Sequence, residues 1–326
     1  MKSKILALLR EADDYISGQE LCEHFGVTRA AVWKVINTLK KEGYEIDAVP
    51  NRGYRLVSLP DVFSASELES RLHTKWAGRR LAFYDSIGST NVQAKLLAEE
   101  GAPEGTLVLA DEQKTGRGRR GRGWQSPPGM NVYFTLVLKP DYAPNDASMV
   151  TLVMALAVKE AITEVCGMKA GIKWPNDIVV NGKKTTGILT EMSLEGAYIQ
   201  HVVIGVGINV KKQSFPAELA DTATSLEAES GKPVSRALLV QKVMEHFEED
   251  YELFLQKKDL SFLQERYNAY LVNLDREVRV LDPAGEYTGI AKGINKKGEL
   301  LVQMPDGSIN EVYAGEVSVR GIYGYV

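Results

Sequence analysis

Residues 116–124 read Gly-Arg-Gly-Arg-Arg-Gly-Arg-Gly-Trp. The four glycines let backbone amides approach a ligand closely. The four arginines supply planar cationic forks that match phosphate or carboxylate. Trp124 adds a flat face on which a base can stack. Together these residue types can hold an anion, and with the tryptophan a nucleotide. Disordered nucleic-acid tails share this composition. Here, however, apolar strand-like runs at 106–110 and 131–138 flank the segment, and loops between buried strands commonly carry ligand-binding residues.

Three more segments carry chemistry. Ser89, Thr90 and Asn91 precede a helical run at 92–100, so free backbone donors at that terminus could meet an anion or a ligand carbonyl. Plain N-capping by Ser89 or Thr90 explains the same residues. Lys173-Trp174-Pro175-Asn176-Asp177 leads into a strand at 178–180, an Asn181-Gly182 hairpin turn, and a second strand opened by Lys183 and Lys184. A lysine there could point into a cleft, or both could simply be solvated. The run 202–209, VVIGVGIN, is a buried strand with Gly205 and Gly207 on one face. Glycine weakens a strand unless something packs closely against it. No Walker A, HExxH or Ser/His/Asp arrangement is present, so any nucleotide site is not a P-loop.

The N-terminal region reads as a DNA-binding unit. A helix-turn-helix begins at Gly18 and ends at Asn37, with the turn at Gly26 and Thr28 capping the second helix. Val32, Val35, Ile36 and Leu39 mark that helix's buried face. Arg29, Trp33 and Asn37 recur on another face beside Lys34, offering base-reading and phosphate-contacting groups. Alternating residues at 44–49 and 54–57 around Pro50-Asn51-Arg52-Gly53 form a hairpin with a basic tip. The whole is a winged helix whose second helix enters the major groove, with Arg52 and Arg55 on the backbone. A helical hairpin that docks on protein is the alternative. One such unit binds weakly, so operator binding implies a dimer on two half-sites.

Composition sets the remaining bounds. The 326 residues, 44% hydrophobic, suffice for two or three domains with sizeable cores. No stretch is long and apolar enough to span a membrane, and the N-terminus reads as an amphipathic helix rather than a signal peptide. Cys22 and Cys166 form no disulfide framework or zinc spacing, and the four histidines are scattered, which fits a reducing cytoplasm. Residues 1–58 hold nine Lys/Arg against eight Asp/Glu, whereas the remainder holds 30 against 35. A DNA-binding segment in so acidic a chain must concentrate its positive charge on one face.

GRGRRGRGW, KWPND, KKTTGIL, GVGIN and the terminal AGEVSVR occur in an order and spacing that resemble the bifunctional biotin–protein ligases that double as biotin-operon repressors. The resemblance covers essentially the full length. It implies a multidomain α+β protein: a winged helix-turn-helix over 1–60, a mixed α/β ligase domain of class II synthetase type over 61–273, and a C-terminal SH3-like β-barrel over 274–326. Short alternating strands after residue 276 fit that last domain. The implied reaction uses ATP, with Mg²⁺, to convert biotin to biotinyl-5′-AMP. Biotin then passes to a lysine of a biotin carboxyl-carrier domain. Operator DNA is the second partner, bound by an adenylate-loaded homodimer.

The resemblance also assigns roles. Ser89, Thr90, Asn91 and Gln113 would address biotin's ureido and carboxylate ends. Arg117, Gly118 and Arg119 would wrap the carboxylate and phosphate, with Arg122 near the nucleotide. Trp124 would stack the adenine and Asn209 would hydrogen-bond it. Gly205 and Gly207 would floor the biotin ring. Lys184 is the expected catalytic lysine, chosen over Lys183 by its distance from Gly-Ile-Leu. Arg119 would share the catalytic role. Asp177 would orient the cations or the metal, and Arg320 would reach ATP or the carrier. Two rivals remain: a ligand-sensing regulator without catalysis, and a lipoyl transferase on a related fold.

Overall fold

The computed structural model describes residues 1–58, 61–282, 285–314, 318–321 and 325, without the side chains of 318, 320 and 321. The chain forms two compact units, Met1–His73 with Ser235–Gln241, and Thr74–Val234 with Lys242–Val326.

The first unit contains α1 (Lys2–Glu11), α2 (Gly18–Phe25), α3 (Arg29–Lys41), β1 (Glu45–Val49), β2 (Gly53–Ser58) and α4 (Ala65–Arg71). Ser17 caps α2 by accepting from the Glu20 amide, and Gly26 ends it in the left-handed region that glycine tolerates. Thr28 caps α3 through the Ala31 amide. Val32, Val35, Ile36 and Leu39 are buried against Leu21 and against Ile5, Leu6 and Leu9 of α1. β1 and β2 pair antiparallel, with Val49 opposite Gly53. Gly53 has φ +114°, and a Cβ there would stand 2.0 Å from the Ile16 carbonyl oxygen. Only glycine lets the wing close against the chain at that point.

The second unit follows with β3 (Arg80–Ile87), α5 (Thr90–Glu99), β4 (Thr106–Gln113), β5 (Val132–Leu138), α6 (Ala147–Cys166), β6 (Ala170–Lys173), β7 (Asp177–Val180), β8 (Lys183–Glu195) and β9 (Tyr198–Ile208). Helices α7 (Leu226–Ser230), α8 (Arg236–Lys257, whose residues up to Gln241 belong to the first unit) and α9 (Gln264–Tyr270) come next, and then β10 (Glu277–Leu281), β11 (Tyr287–Ile294), β12 (Leu300–Gln303), β13 (Ile309–Val312) and β14 (Ser318–Gly321).

Seven strands form one sheet in the order β3-β4-β5-β9-β8-β7-β6. Only β3 and β4 run parallel. α5 packs Ala94 and Ala98 on Val108, Val137 and Val203 of one face. Thr190, which points to the other face by strand alternation, meets Thr151 of α6 at 2.7 Å. The five C-terminal strands pair antiparallel in the order β13-β12-β11-β10-β14. Among the described residues these strands form a five-stranded antiparallel sheet with β13 and β14 as its outer strands.

The structure adjusts several expectations. α5 begins at Thr90, two residues earlier than the apolar pattern suggests, so Thr90 and Asn91 lie in its first turn. Ser89 is its N-cap residue but makes no side-chain capping bond. β3, β4 and β8 run beyond the apolar cores that announce them. Among the described residues no helix is long and apolar enough to cross a membrane.

Candidate active site

Strand parity builds the site. Asp177 of β7 pairs with Gly187 of β8, which pairs with Gly207 of β9, which pairs with Tyr133 of β5. Leu189, Gly205 and Thr135 continue the same face one step along. Lys184 should face away, because it lies an odd number of residues from Gly187. A bulge between β7 and β8 corrects this: Ile178 pairs with Thr186, but Val179 pairs with Lys184. The extra residue returns Lys184 to the face of Asp177 and Gly187, a common way of re-aiming a functional side chain.

The two glycines of β9 are filled from above. A Cβ at Gly205 would stand 2.0 Å from Asn91 Oδ1, and one at Gly207 would stand 2.4 Å from Trp124 Nε1. At Gly187 a Cβ would stand 3.0 Å from Trp124 Cζ3. Trp124 therefore rests on the cross-strand pair Gly187 and Gly207. The space expected for a ligand ring at these glycines holds protein side chains in this structure.

The arginine segment is a closed hairpin, not a tail. Arg117 bridges Gly123, the Gly118 amide donates to the Arg122 carbonyl at 2.7 Å, and the Trp124 amide donates to the Gly116 carbonyl at 2.9 Å. Arg120 and Gly121 turn it with positive φ. The glycine at 116 is needed because a Cβ would stand 2.6 Å from the Trp124 carbonyl oxygen.

Below the hairpin is a cavity of about 260 Å³. Its wall includes Ser89, Thr90, Asn91, Gln113, Arg117, Gly118, Arg119, Arg122, Trp124, Asp177, Lys184, Gly205, Gly207 and Asn209, so these expected site residues come together. Lys183 does not line it. Arg320 was expected here, but its side chain lies outside the described residues.

The polar contacts are specific. Lys184 Nζ donates to Asp177 Oδ1 at 2.5 Å and stands 5.5 Å from the Trp124 ring centroid. Asp177 Oδ2 accepts from the Tyr325 hydroxyl at 2.5 Å. Gln113 Oε1 accepts from both the Thr90 amide (2.8 Å) and hydroxyl (3.0 Å), so Thr90 is occupied by more than helix capping. Asn91 Nδ2 donates to Glu191 at 2.8 Å, and its Oδ1 accepts from Thr135 at 2.6 Å. Asn209 donates to the Thr224 carbonyl at 3.2 Å. Arg119 donates to Asn176 Oδ1 at 3.1 Å and to the Ala314 carbonyl at 2.9 Å.

The electrostatics favour an anion. Arg117, Arg119, Arg120, Arg122 and Lys184 line the cavity, with Asp177 the sole carboxylate among the described lining residues. Burial lowers the Arg119 guanidinium below its ordinary pKa, against the pull of Asp177. Burial pushes Glu191 up, but hydrogen bonds from Lys95 and Asn91 outweigh it and bring the carboxyl below the usual range. Glu191 is thus held ionised beneath Asn91. Among the described residues no group of three His, Cys, Asp or Glu could hold a metal ion.

Sequence reasoning missed Thr135, Asn176, Gly187, Glu191 and Tyr325. Three left a trace: Asn176 lies within KWPND, Thr135 is the one aliphatic hydroxyl in the buried run VYFTLVL, and Gly187 interrupts a strand.

The expected DNA-reading residues lie in the first unit. Arg29, Trp33 and Lys34 are exposed on α3, Trp33 at 62%, while Asn37 is half-buried and the Thr28 hydroxyl caps the helix. Arg29 donates to Gln19 at 3.1 Å. Arg52 stands 4.3 Å and Arg55 4.9 Å from the Tyr15 ring centroid, and Arg52 also pairs with Asp14 at 3.1 Å. Exposed pairs of this kind are weak, so a phosphate could displace Asp14.

The fold and site define a class. Residues 83–209 match the biotin/lipoate A/B protein ligase family, residues 274–320 the biotin protein ligase C-terminal domain, and residues 2–55 an HTH domain. The chain is similar to a solved biotin protein ligase from Aquifex aeolicus in complex with biotin and ATP, at 32% identity and TM-score 0.66, over 74% of this chain and 99% of that one. It is 39% identical to the bifunctional ligase/repressor BirA of Bacillus subtilis over 98% of both chains. It is 31% identical to that of Escherichia coli over 97% of this chain and 96% of the other. The chain belongs to the family of bifunctional ligase/repressor BirA proteins.

Proposed function

We propose that this protein activates biotin with ATP to biotinyl-5′-AMP and transfers biotin to a lysine of a carboxyl-carrier domain. With adenylate bound, it dimerises and represses biotin operons. The observation that carries the ligase reading is that, among the described lining residues, five cations including Lys184 surround one cavity with a single carboxylate.

Adenylation joins two anions. The biotin carboxylate oxygen attacks the α-phosphorus, and pyrophosphate leaves. In transfer, the acceptor lysine amine attacks the acyl carbon, AMP leaves with the bond electrons, and an amide forms. Both transition states gather negative charge, which preorganised cations stabilise. Lys184 and Arg119 take that role, with Arg117, Gly118 and Arg122 wrapping the carboxylate and phosphates. Ser89, Thr90, Asn91 and Gln113 hold biotin, and Gly205 and Gly207 lie beneath it. Trp124 and Asn209 hold the adenine once the hairpin has moved the indole from its seat. Mg²⁺ accompanies ATP. Closure of the hairpin excludes water from the mixed anhydride.

The remaining assignments support regulation. Residues 1–60 bind the operator through Thr28, Arg29, Trp33, Lys34, Asn37 and Arg52. Residues 61–273 form the catalytic domain. Residues 274–326 form an SH3-like barrel whose Arg320 serves ATP or the carrier. Repression requires that adenylate favour the dimer-competent state. Biotin-dependent release of pyrophosphate from ATP tests the first step. Equal release with lipoate would shift the substrate, and no release with either would leave a sensor without catalysis.

A further inference from the structure

We infer that Tyr325 is a positioning residue of the active site: its hydroxyl holds the Asp177 carboxylate so that one oxygen serves Lys184. Asp177 uses its two oxygens for two different partners. Oδ1 accepts from Lys184 Nζ at 2.5 Å, and Oδ2 accepts from the Tyr325 hydroxyl at 2.5 Å. The two donors together set the plane of the carboxylate, which the flexible lysine alone could not. They also divide its charge. A carboxylate that already accepts a hydrogen bond pulls less strongly on the ammonium beside it, so Lys184 is held in place yet can turn to a substrate anion.

A second contact places the tyrosine independently. Lys173 Nζ stands 3.4 Å from the centroid of the Tyr325 ring, well inside the range of cation–π attraction. Lys173 is buried, and it is the cross-strand partner of Asp177 between β6 and β7. One strand pair therefore seats both ends of the tyrosine: the cation beneath the ring and the carboxylate at the hydroxyl. Tyr325 also lines the cavity itself.

This inference rests on the reading of the site as the place of adenylate formation. Its test uses the full-length protein and two readouts. The first is kcat and KM for biotin in pyrophosphate release. The second is the rate at which acetic anhydride acylates Lys184 at one mildly alkaline pH, followed by mass spectrometry. Tyr325→Phe keeps the ring over Lys173 and removes only the hydroxyl. It is expected to lower kcat about fivefold, with the biotin KM changed less than about twofold, and to slow Lys184 acylation about threefold. Both effects should disappear in an Asp177→Ala background, because the hydroxyl acts through that carboxylate. A general structural role would instead produce the same loss in both backgrounds, and that result, or wild-type kcat and labelling in Tyr325→Phe, overturns the inference. If the unmodified protein releases no pyrophosphate with biotin, the functional reading falls, and the acylation rates alone decide the role of Tyr325.

Discussion

Trp124 occupies the space that a side chain at residue 207 would need: a Cβ on Gly207 would stand 2.4 Å from Trp124 Nε1. The same indole nitrogen is buried and has no hydrogen-bond partner among the described residues. The contact is therefore one of shape and leaves a polar group unsatisfied, which keeps the indole's hold on its seat modest.

Gly207→Ala should cost about 1–3 kcal/mol of stability, the usual range for overpacking. In a Trp124→Ala background the cost should fall close to zero, since the clashing ring is gone. Urea unfolding of the four variants measures this. An equal cost in both backgrounds would place the glycine requirement elsewhere.

Lys184→Ala should slow both half-reactions by about 2–4 kcal/mol of barrier, as expected for losing one preorganised donor. Lys183→Ala should remain near wild type, because Lys183 lies outside the cavity wall. Single-turnover rates for adenylate formation and for transfer measure the two steps separately. The reverse ranking of the two lysines would reassign the role to Lys183.

Arg29→Ala should weaken operator binding by roughly 1–3 kcal/mol, the range for one base-reading pair, and leave ligation unchanged. Electrophoretic mobility shifts with biotin and Mg·ATP present report the first quantity. Steady-state ligation reports the second. A parallel loss of ligation would mean that the substitution disturbs folding instead.

His201 supplies a pH prediction. It is fully buried in β9, and neither ring nitrogen has a hydrogen-bond partner among the described residues. Burial lowers its pKa, Glu99 opposes that, and Lys139 and Lys95 add to it. The folded state thus binds the proton less readily than the unfolded chain. Its contribution to stability is complete above the unfolded value of about 6.5 and is lost as the pH falls from there through the lower folded value. His201→Leu should flatten the decline of the urea midpoint over that window. An unchanged slope would mean that other groups set it.

The helix-turn-helix was legible because its periodicity, both caps and the wing turn agree locally: Thr28 caps where expected, and Val32, Val35, Ile36 and Leu39 are buried. The arginine loop was legible from residue type alone. The shape of the site face was not. Lys184 joins Asp177 and Gly187 through a bulge, and a bulge is a property of strand pairing that no single strand's pattern records. Likewise Gly205 and Gly207 mark a close approach, but the sequence does not say that Asn91 and Trp124 make it. Tyr325 is 148 residues from Asp177, and nothing in the local pattern connects them. α8 does carry an apolar stripe, with Val240, Val243, Met244, Phe247, Tyr251 and Phe254 buried at three- and four-residue spacing, and that stripe was legible in the sequence.

The central claim is that this chain transfers biotin. The direct measurement is the mass of a biotin carboxyl-carrier domain after incubation with the protein, biotin and Mg·ATP. The account predicts a gain of one biotinyl group on a single lysine, dependent on ATP and lost in the Lys184→Ala variant. An unmodified carrier under conditions where the protein is folded and binds biotin would contradict it.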